Sequence, residues 1–571
     1  MPFRVSERAF IAFKRFQTAK TALSPYICRR QKCMGMKTVS KLFVGAAVVM
    51  AAAACNPEHF FGMRGEKVDT EETLAHGRVV LGERLEDPYS VKNITRALDS
   101  LYPTKAGTID VSTTDLYVRF LPDGQDQLDM LESLGLEMLD HPMDYAIVRE
   151  GDWYHDPAVP EDNITWQYCV VPPDFEFPAN IRYEIIDRCH ITEHDVISRA
   201  GSTDIDWEAV EREAFRLTGN EAMLEDAPLT RGGEAARPSG RITVVDGRFP
   251  SSEEGVKGVR VACNVFVKIG QAYTDADGYY QINKSFSSKP RYRLVFKNSK
   301  GFGIGLNLIL VGGSVSTMGK SSPQGYSKVI TSSDDRSMFS RCVVNNAVWD
   351  YYEGCKTSVG SIDTPPSNLR LWIFQGLDAS STVMMHHGVG IDNTKIGETL
   401  KKYLGDFAPL VKWFLPDITL GLKGRTDYAS IYGVTVHELA HASHYRQVGK
   451  AWWDKLVEYI LVSYVTSGMQ TYGNGGDENA GYCEVAEMWG YYMQSKLYRL
   501  RYPDGASMFG TSWWFSPQIL MYLDNKGLNR FSIFKALMPA VTDRGKLQEK
   551  LLSLYGDEFK TQINTAFNRY L

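Results

Sequence analysis

The sequence predicts a chain of several domains: an N-terminal α+β region, a small antiparallel β-sandwich, and a C-terminal α+β domain that is mostly helical. Three observations carry that prediction. Residues 115–139 read strand, helix, strand; residues 239–298 alternate short β-rich runs with turn residues; and from residue 434 the apolar pattern is mainly helical. With 571 residues, 44% hydrophobic and 23% charged, the chain has the length for three or more domains and an ordinary globular composition.

Charge sets the first 55 residues apart. Residues 1–54 hold ten Lys/Arg and one acid, which leaves 53 bases against 67 acids for the rest of the chain. An acidic remainder argues against nucleic acid as a partner. Within this leader, Met36-Lys37-Thr38-Val39-Ser40-Lys41 is basic and Leu42 to Ala54 is a short apolar run. Together they describe a secretory signal rather than a membrane span. Met34 or Met36 would begin a normal signal, so residues 1–35 read as an upstream start-site error. Ala52-Ala53-Ala54-Cys55 resembles the bacterial lipobox. That resemblance implies that Cys55 is lipidated and becomes the mature N-terminus. It also implies anchoring through lipid in a bacterial cell envelope, at the outer membrane or cell surface. Cleavage as an ordinary signal peptide is the alternative. The polar residues to about Glu72 would then be a tether.

Residues 73–225 form the N-terminal α+β region. Asp115-Leu116-Tyr117-Val118-Arg119-Phe120 alternates as a strand, Gln125 to Leu134 is an amphipathic helix, and Leu136 to Leu139 leads into a second short strand. A further helix is predicted from Trp207 to Leu217. Asp226 to Gly240 is rich in Gly, Pro, Ala and polar residues and reads as a linker. Beyond it, Gly255-Val256-Lys257-Gly258-Val259-Arg260-Val261 and Thr274-Asp275-Ala276-Asp277-Gly278-Tyr279 punctuate β-rich runs with turns. Segment 239–298 resembles the carboxypeptidase regulatory-like, transthyretin-like domain, which carries these motifs. Asp275 and Asp277 suggest either calcium or a tight turn before Gly278, and in that family the stretch is a turn.

Six cysteines lie beyond the leader: Cys169, Cys189, Cys263, Cys342, Cys355 and Cys483. An exported protein permits disulfides. Sequence proximity offers Cys169 with Cys189 and Cys342 with Cys355; buried thiols are the other reading. Two familiar motifs are absent. Gly313 to Lys320-Ser321 has one residue too many for a phosphate-binding loop, and no Gly-x-Ser-x-Gly elbow occurs.

The C-terminal domain spans 310–571. Its first part is read as strand-rich, with strands at Leu369 to Phe374, Ser381 to Met385 and Asp417 to Leu422. Helices are predicted at 434–446, 452–466 and 482–498, with shorter ones from Ser516 onward. The first of these carries Val436-His437-Glu438-Leu439-Ala440-His441. Positions i and i+4 share a helix face, so His437 and His441 can bind one metal ion, and imidazoles suit Zn²⁺. A catalytic zinc needs a third protein ligand. The metzincin pattern would require Gly at 444 and His at 447, where this chain has His444 and Gln447.

The chain instead resembles the gluzincins, zinc peptidases whose third ligand is a glutamate on a later helix. Their Glu-x-aromatic-small-x-aromatic pattern fits Glu487-Met488-Trp489-Gly490-Tyr491-Tyr492. Glu487 is therefore the expected ligand, with Glu484 and Glu458 as alternatives, and Gly490 would let two helices approach closely. The resemblance implies Zn²⁺ as cofactor, Glu438 as general base toward a bound water, and a protein or peptide substrate. It makes 417–422 the candidate edge strand for binding extended peptide. Tyr482, Tyr472 and His444 are candidate donors to the tetrahedral intermediate. His386 and His387 either assist chemistry or form a hydrogen-bonded pair. The unit at 115–139 resembles the propeptide or inhibitor-like domains of some exported peptidases. The alternatives are an inactive surface lipoprotein that binds protein or glycan, and a hydrolase of another amide such as cell-wall peptide.

Overall fold

The computed structural model describes residues 78–105, 109–160, 163–191, 205–224, 235–249, 252–305, 315–376, 380–390, 416–466, 472–503 and 514–570. The leader with Cys55, the tether and most of the 226–240 linker lie outside the described residues. Over the described residues the fold is α+β, with helices and several small sheets.

The N-terminal region comprises β1 (Val80–Arg84), α1 (Val91–Leu101), β2 (Asp115–Leu121), α2 (Gln125–Ser133), β3 (Tyr145–Arg149), β4 (Gln167–Val171), β5 (Arg182–Cys189) and α3 (Trp207–Leu217). β2 lies between β4 and β5 and is antiparallel to both, while β1 pairs with β3. Ser90 and Asp206 cap α1 and α3 with side-chain oxygens, and the two helices share a core of Ile94, Leu98, Val210 and Ala214. The second strand expected at 136–139 is reduced to one bridge, Leu139 to Tyr168.

All six cysteines are buried free thiols. Cys169 and Cys189 sit on β4 and β5, opposite Val118 and Asp115 of the intervening β2. Two strand spacings, roughly 9–10 Å, exceed the reach of a disulfide. Cys342 lies within a long helix and Cys355 caps its C-terminus, so about 20 Å of helix separates them.

The next segment supplies β6 (Ser239–Val245), β7 (Glu253–Gly255), β8 (Arg260–Val265), β9 (Lys268–Tyr273), β10 (Tyr279–Gln281), β11 (Arg291–Val295), β12 (Gly303–Gly305), β13 (Val315–Lys320) and β14 (Lys328–Ile330). One sheet runs β10-β6-β14 with β7 also on β6, and the other runs β13-β11-β8-β9. Two strands from beyond residue 310 thus belong with those of 239–298. The β6–β14 pair is parallel, so the sheets are not wholly antiparallel. Asp275 is a turn residue: its Oδ1 accepts the N–H of Asp277 and of Tyr279, both at 2.9 Å. Gly278 is required there, because its φ is +84° and a Cβ would stand 2.1 Å from the Ile242 carbonyl oxygen.

The C-terminal part begins with α4 (Arg336–Gly354) and a short hairpin of β15 (Lys356–Thr357) and β16 (Gly360–Ser361). α4 lies where the sequence predicts strands. Buried Asn345 and Asn346 interrupt its apolar period, and both bond the backbone of residues 255–257. β17 (Arg370–Phe374), β18 (Ser381–Thr382) and β19 (Ile418–Gly421) complete a sheet ordered β12-β17-β19-β18, in which only β18 is antiparallel to its neighbour. The expected edge strand at 417–422 is therefore wrong. β19 is interior and buried at all four residues, and among the described residues β18 is the outer strand on that side. Polar Thr419 and small Gly421 are covered as fully as Ile418 and Leu420.

Among the described residues six helices follow: α5 (Tyr428–Val448), α6 (Lys450–Thr466), α7 (Ala480–Arg501), α8 (Gln518–Asn525), α9 (Arg530–Ala536) and α10 (Arg544–Arg569). At 26 residues α10 is far longer than the sequence suggests. α5 starts where Asp427 accepts the Ser430 N–H and stops at Gly449, φ +80°. It is buried nearly all round, as a helix without a polar face must be.

Ion pairs bind the N-terminal region to the rest. Asp129 of α2 takes both oxygens to Arg370 of β17 at 2.6 Å. Glu211 of α3 and Lys268 of β9 meet at 3.0 Å with side chains 1% and 0% exposed, and the Tyr89 hydroxyl also donates to Glu211. Removing one member of such a pair strands a buried charge. Lys268→Met should lower the unfolding free energy by about 3–5 kcal/mol in chemical denaturation. A loss well under ~1 kcal/mol would mean that the two groups are not an ionised pair.

Candidate metal centre

α5 and α7 cross with His437, His441 and Glu487 facing one another. His437 Nε2 lies 3.0 Å from His441 Nε2, and Glu487 places Oε2 3.5 Å from His437 Nε2 and Oε1 3.4 Å from His441 Nε2. All three residues are buried, and together they form a group able to hold a metal ion. Bonds of about 2.0–2.2 Å in a tetrahedron set ligand atoms roughly 3.3–3.6 Å apart, close to the spacing here. Two nitrogens and one carboxylate are a donor set suited to zinc. His437 Nδ1 meets Gln494 Oε1 at 3.1 Å; with the proton on Nδ1, the Nε2 lone pair is free for the metal.

Helix spacing depends on Gly490. A Cβ there would stand 2.7 and 2.8 Å from His441 Cε1 and Nε2, and 3.0 Å from His437 Cε1. One residue earlier, Trp489 donates its indole N–H to the Ala440 carbonyl at 3.0 Å and ties the helices together. Glu487 is the glutamate of the cluster. Glu484, one turn earlier, instead forms an ion pair with the Arg544 side chain at 2.7 Å and accepts the Arg544 backbone N–H at 3.0 Å. Glu458 pairs with Lys455 at 3.6 Å.

Glu438 sits beside the cluster, 1% exposed. The Thr382 hydroxyl lies 2.8 Å from Glu438 Oε2 and 2.9 Å from the Glu438 backbone carbonyl, and donates to both. Trp453 of α6 in turn donates to the Thr382 carbonyl at 3.0 Å, which fixes β18 against α6. Burial pushes the Glu438 carboxyl up to about 7. Burial pushes Glu487 the same way, but the charges of His441 and His437 outweigh it and hold that carboxyl at about 2.

The expected donors divide. His444 is fully buried against Trp452 and Trp453, and burial lowers its pKa to about 3, so it stays neutral. The Tyr482 ring packs on Trp452. Only Tyr472 approaches the centre, its hydroxyl 3.4 Å from that of Tyr491, whose ring lies edge-on to His437 at 4.6 Å. His386 and His387 stand apart. Nδ1 of His387 meets Asp417 at 2.8 Å and Nε2 the Ser367 carbonyl at 3.1 Å, so it is held on both sides. Thr382, Gln494 and Tyr491 escaped the sequence reading. Gln494 and Tyr491 lie on the Glu487 face of α7, a signal the helical period could have given.

Comparison with family models, curated proteins and solved structures found no match.

Glu487→Gln should abolish stoichiometric zinc in metal analysis, whereas Glu484→Gln should keep it, and the reverse outcome would move the ligand one turn back. Gly490→Ala contributes no ligand atom but displaces both rings. It should weaken zinc binding by about 10–100-fold in chelator competition, the range for groups that orient ligands.

Proposed function

We propose that this protein is an exported, lipid-anchored, zinc-dependent metallopeptidase. One observation carries the reading: the ligand atoms of His437, His441 and Glu487 lie within 4.8 Å of one another, with the Glu438 carboxylate fixed beside them by Thr382. His437, His441 and Glu487 would hold the zinc. When bound, zinc supplies a Lewis acid for a peptide carbonyl and lowers the pKa of water to about 7.

Glu438 moves the proton. Its Oε2 is tied to Thr382 and its Oε1 has no protein partner among the described residues. Oε1 is thus the atom that accepts the proton of the attacking water and returns it to the departing amine. Tyr491, whose ring meets that of His437, and its neighbour Tyr472 are the candidate hydroxyl donors to the developing oxyanion. A structural metal site has no use for a buried base held in this way, which disfavours the inactive binding protein. Cell-wall peptide as substrate would use the same groups, and digestion of casein against peptidoglycan fragments separates the two. Ala52-Ala53-Ala54-Cys55 supports the anchor.

Glu438→Gln keeps shape and the Thr382 contact. It should retain zinc and thermal stability while peptide hydrolysis falls by about 10²–10⁴-fold or more. His441→Ala should lose metal and activity together. Should Glu438→Gln match a wild type that binds zinc but cleaves nothing in a broad peptide library, the inactive reading stands. For the anchor, Cys55→Ala should release the protein from membranes or leave it uncleaved. Intact mass showing an unmodified mature N-terminus elsewhere would overturn it.

A further inference from the structure

Far along the chain from the metal centre, the N-terminal region holds a second concave site. A cavity of about 350 Å³ opens between the end of β1, the start of α1 and strands β2 and β5, within the size range of small-molecule sites. Its carboxylates are Glu86, Asp87, Asp144 and Asp187, against two bases, Arg84 and Lys92. Those bases are already engaged. Arg84 donates to Asp144 at 2.7 Å, and Lys92 lies 3.9 Å from Glu86, which Arg96 also approaches at 3.3 Å. Asp87 and Asp187 are the two carboxyl groups of the cavity that form no ion pair among the described residues.

Asp87 supplies the independent observation. It is 8% exposed, its Oδ1 accepts the Tyr89 N–H at 2.9 Å, and its Oδ2 has no hydrogen-bond partner among the described residues. Burial first, with the charges of Asp144 and Asp187 adding to it, pushes this carboxyl up to about 8. Such a buried oxygen is unfavourable until a donor reaches it.

We propose that this cavity binds an organic cation, an ammonium or guanidinium group that pairs with Asp87 and Asp187. A lone metal ion fits poorly. Among the described residues, only His437, His441 and Glu487 bring three ligand groups close enough together to hold one. The first turn of α1 is not open to an anion either, since Ser90 Oγ already accepts the Asn93 N–H at 3.2 Å. Leu85 and Tyr117 also line the cavity and offer an apolar wall for a methylene stem. The cation comes from a free amine or from a Lys or Arg side chain of a peptide.

Calorimetric titration of the whole protein with agmatine, an end-capped Ala-Arg-Ala peptide and calcium chloride tests this. Agmatine and the peptide should bind saturably, each at least tenfold more weakly in Asp87→Asn and in Asp187→Asn. The tighter of the two identifies the source. Asp87→Asn keeps an acceptor for Tyr89, and half-buried Asp187 gives a second variant should the first fold poorly. No saturable binding by the wild type, binding unchanged in both variants, or saturation by calcium alone would overturn the proposal.

Discussion

Two buried imidazoles and a buried carboxylate within 3.5 Å of one another impose a strict demand on the helices that carry them. A buried carboxylate needs partners, and over such distances the helix spacing leaves little freedom. Gly490 sets that spacing by having no side chain, and the indole of Trp489 fixes the helices one residue away. On its other side α5 is held by α4, where the Tyr351 hydroxyl donates to Ser443 at 2.9 Å. The centre rests on contacts among three buried helices rather than on its own three side chains alone.

Those helices are in turn tied to the β-sheets that precede them. Arg501, at the end of α7, donates to Asp246 and Glu254 at 3.1 and 2.8 Å, and its guanidinium lies over the Tyr428 ring at the start of α5. Lys257 bridges Glu254 to Asp350 of α4. Burial opposes the charge of Arg501, but Tyr428, Glu254 and Tyr502 keep it cationic. The start of α5, the end of α7 and α4 therefore meet at one charged junction with the 239–298 sheets. Asn345 and Asn346 add neutral bonds to the same seam. A group of strands that exchanges β12 for β13 and β14 with the C-terminal part is built into the core, not attached to it by a linker.

How much of this could be read beforehand depends on the range of the physics involved. The metal pair was legible because i and i+4 on one helix fix a distance without knowledge of the fold, and Gly490 because a small residue beside a ligand implies close approach. Trp207 to Leu217 was legible from its period, and Asp206 confirms the start by its cap. α4 was not, since its buried asparagines serve strands 90 residues away and spoil the apolar stripe. The edge role of 417–422 failed because it was carried over from the resemblance, and nothing within those residues tells that the short strand Ser381–Thr382 pairs along their outer side. Thr382 was invisible for the same reason: its bond to Glu438 joins residues 56 apart, from a two-residue strand.

Glu438 and Glu487 show that burial alone does not decide what a carboxylate does. Both are 1% exposed, yet one carboxyl rises to about 7 and the other falls to about 2. The difference lies in what each one faces. Two imidazoles point at Glu487 and stabilise its anion, the form a metal ligand needs. Thr382 gives Glu438 a single hydrogen bond, which orients the group without satisfying it, and the carboxyl keeps an affinity for protons. A divalent cation among the ligands would draw protons from both groups, and Glu438, with an oxygen still open, is the one able to take a proton back. The two roles are thus separated by partner geometry, within one turn of helix and one crossing.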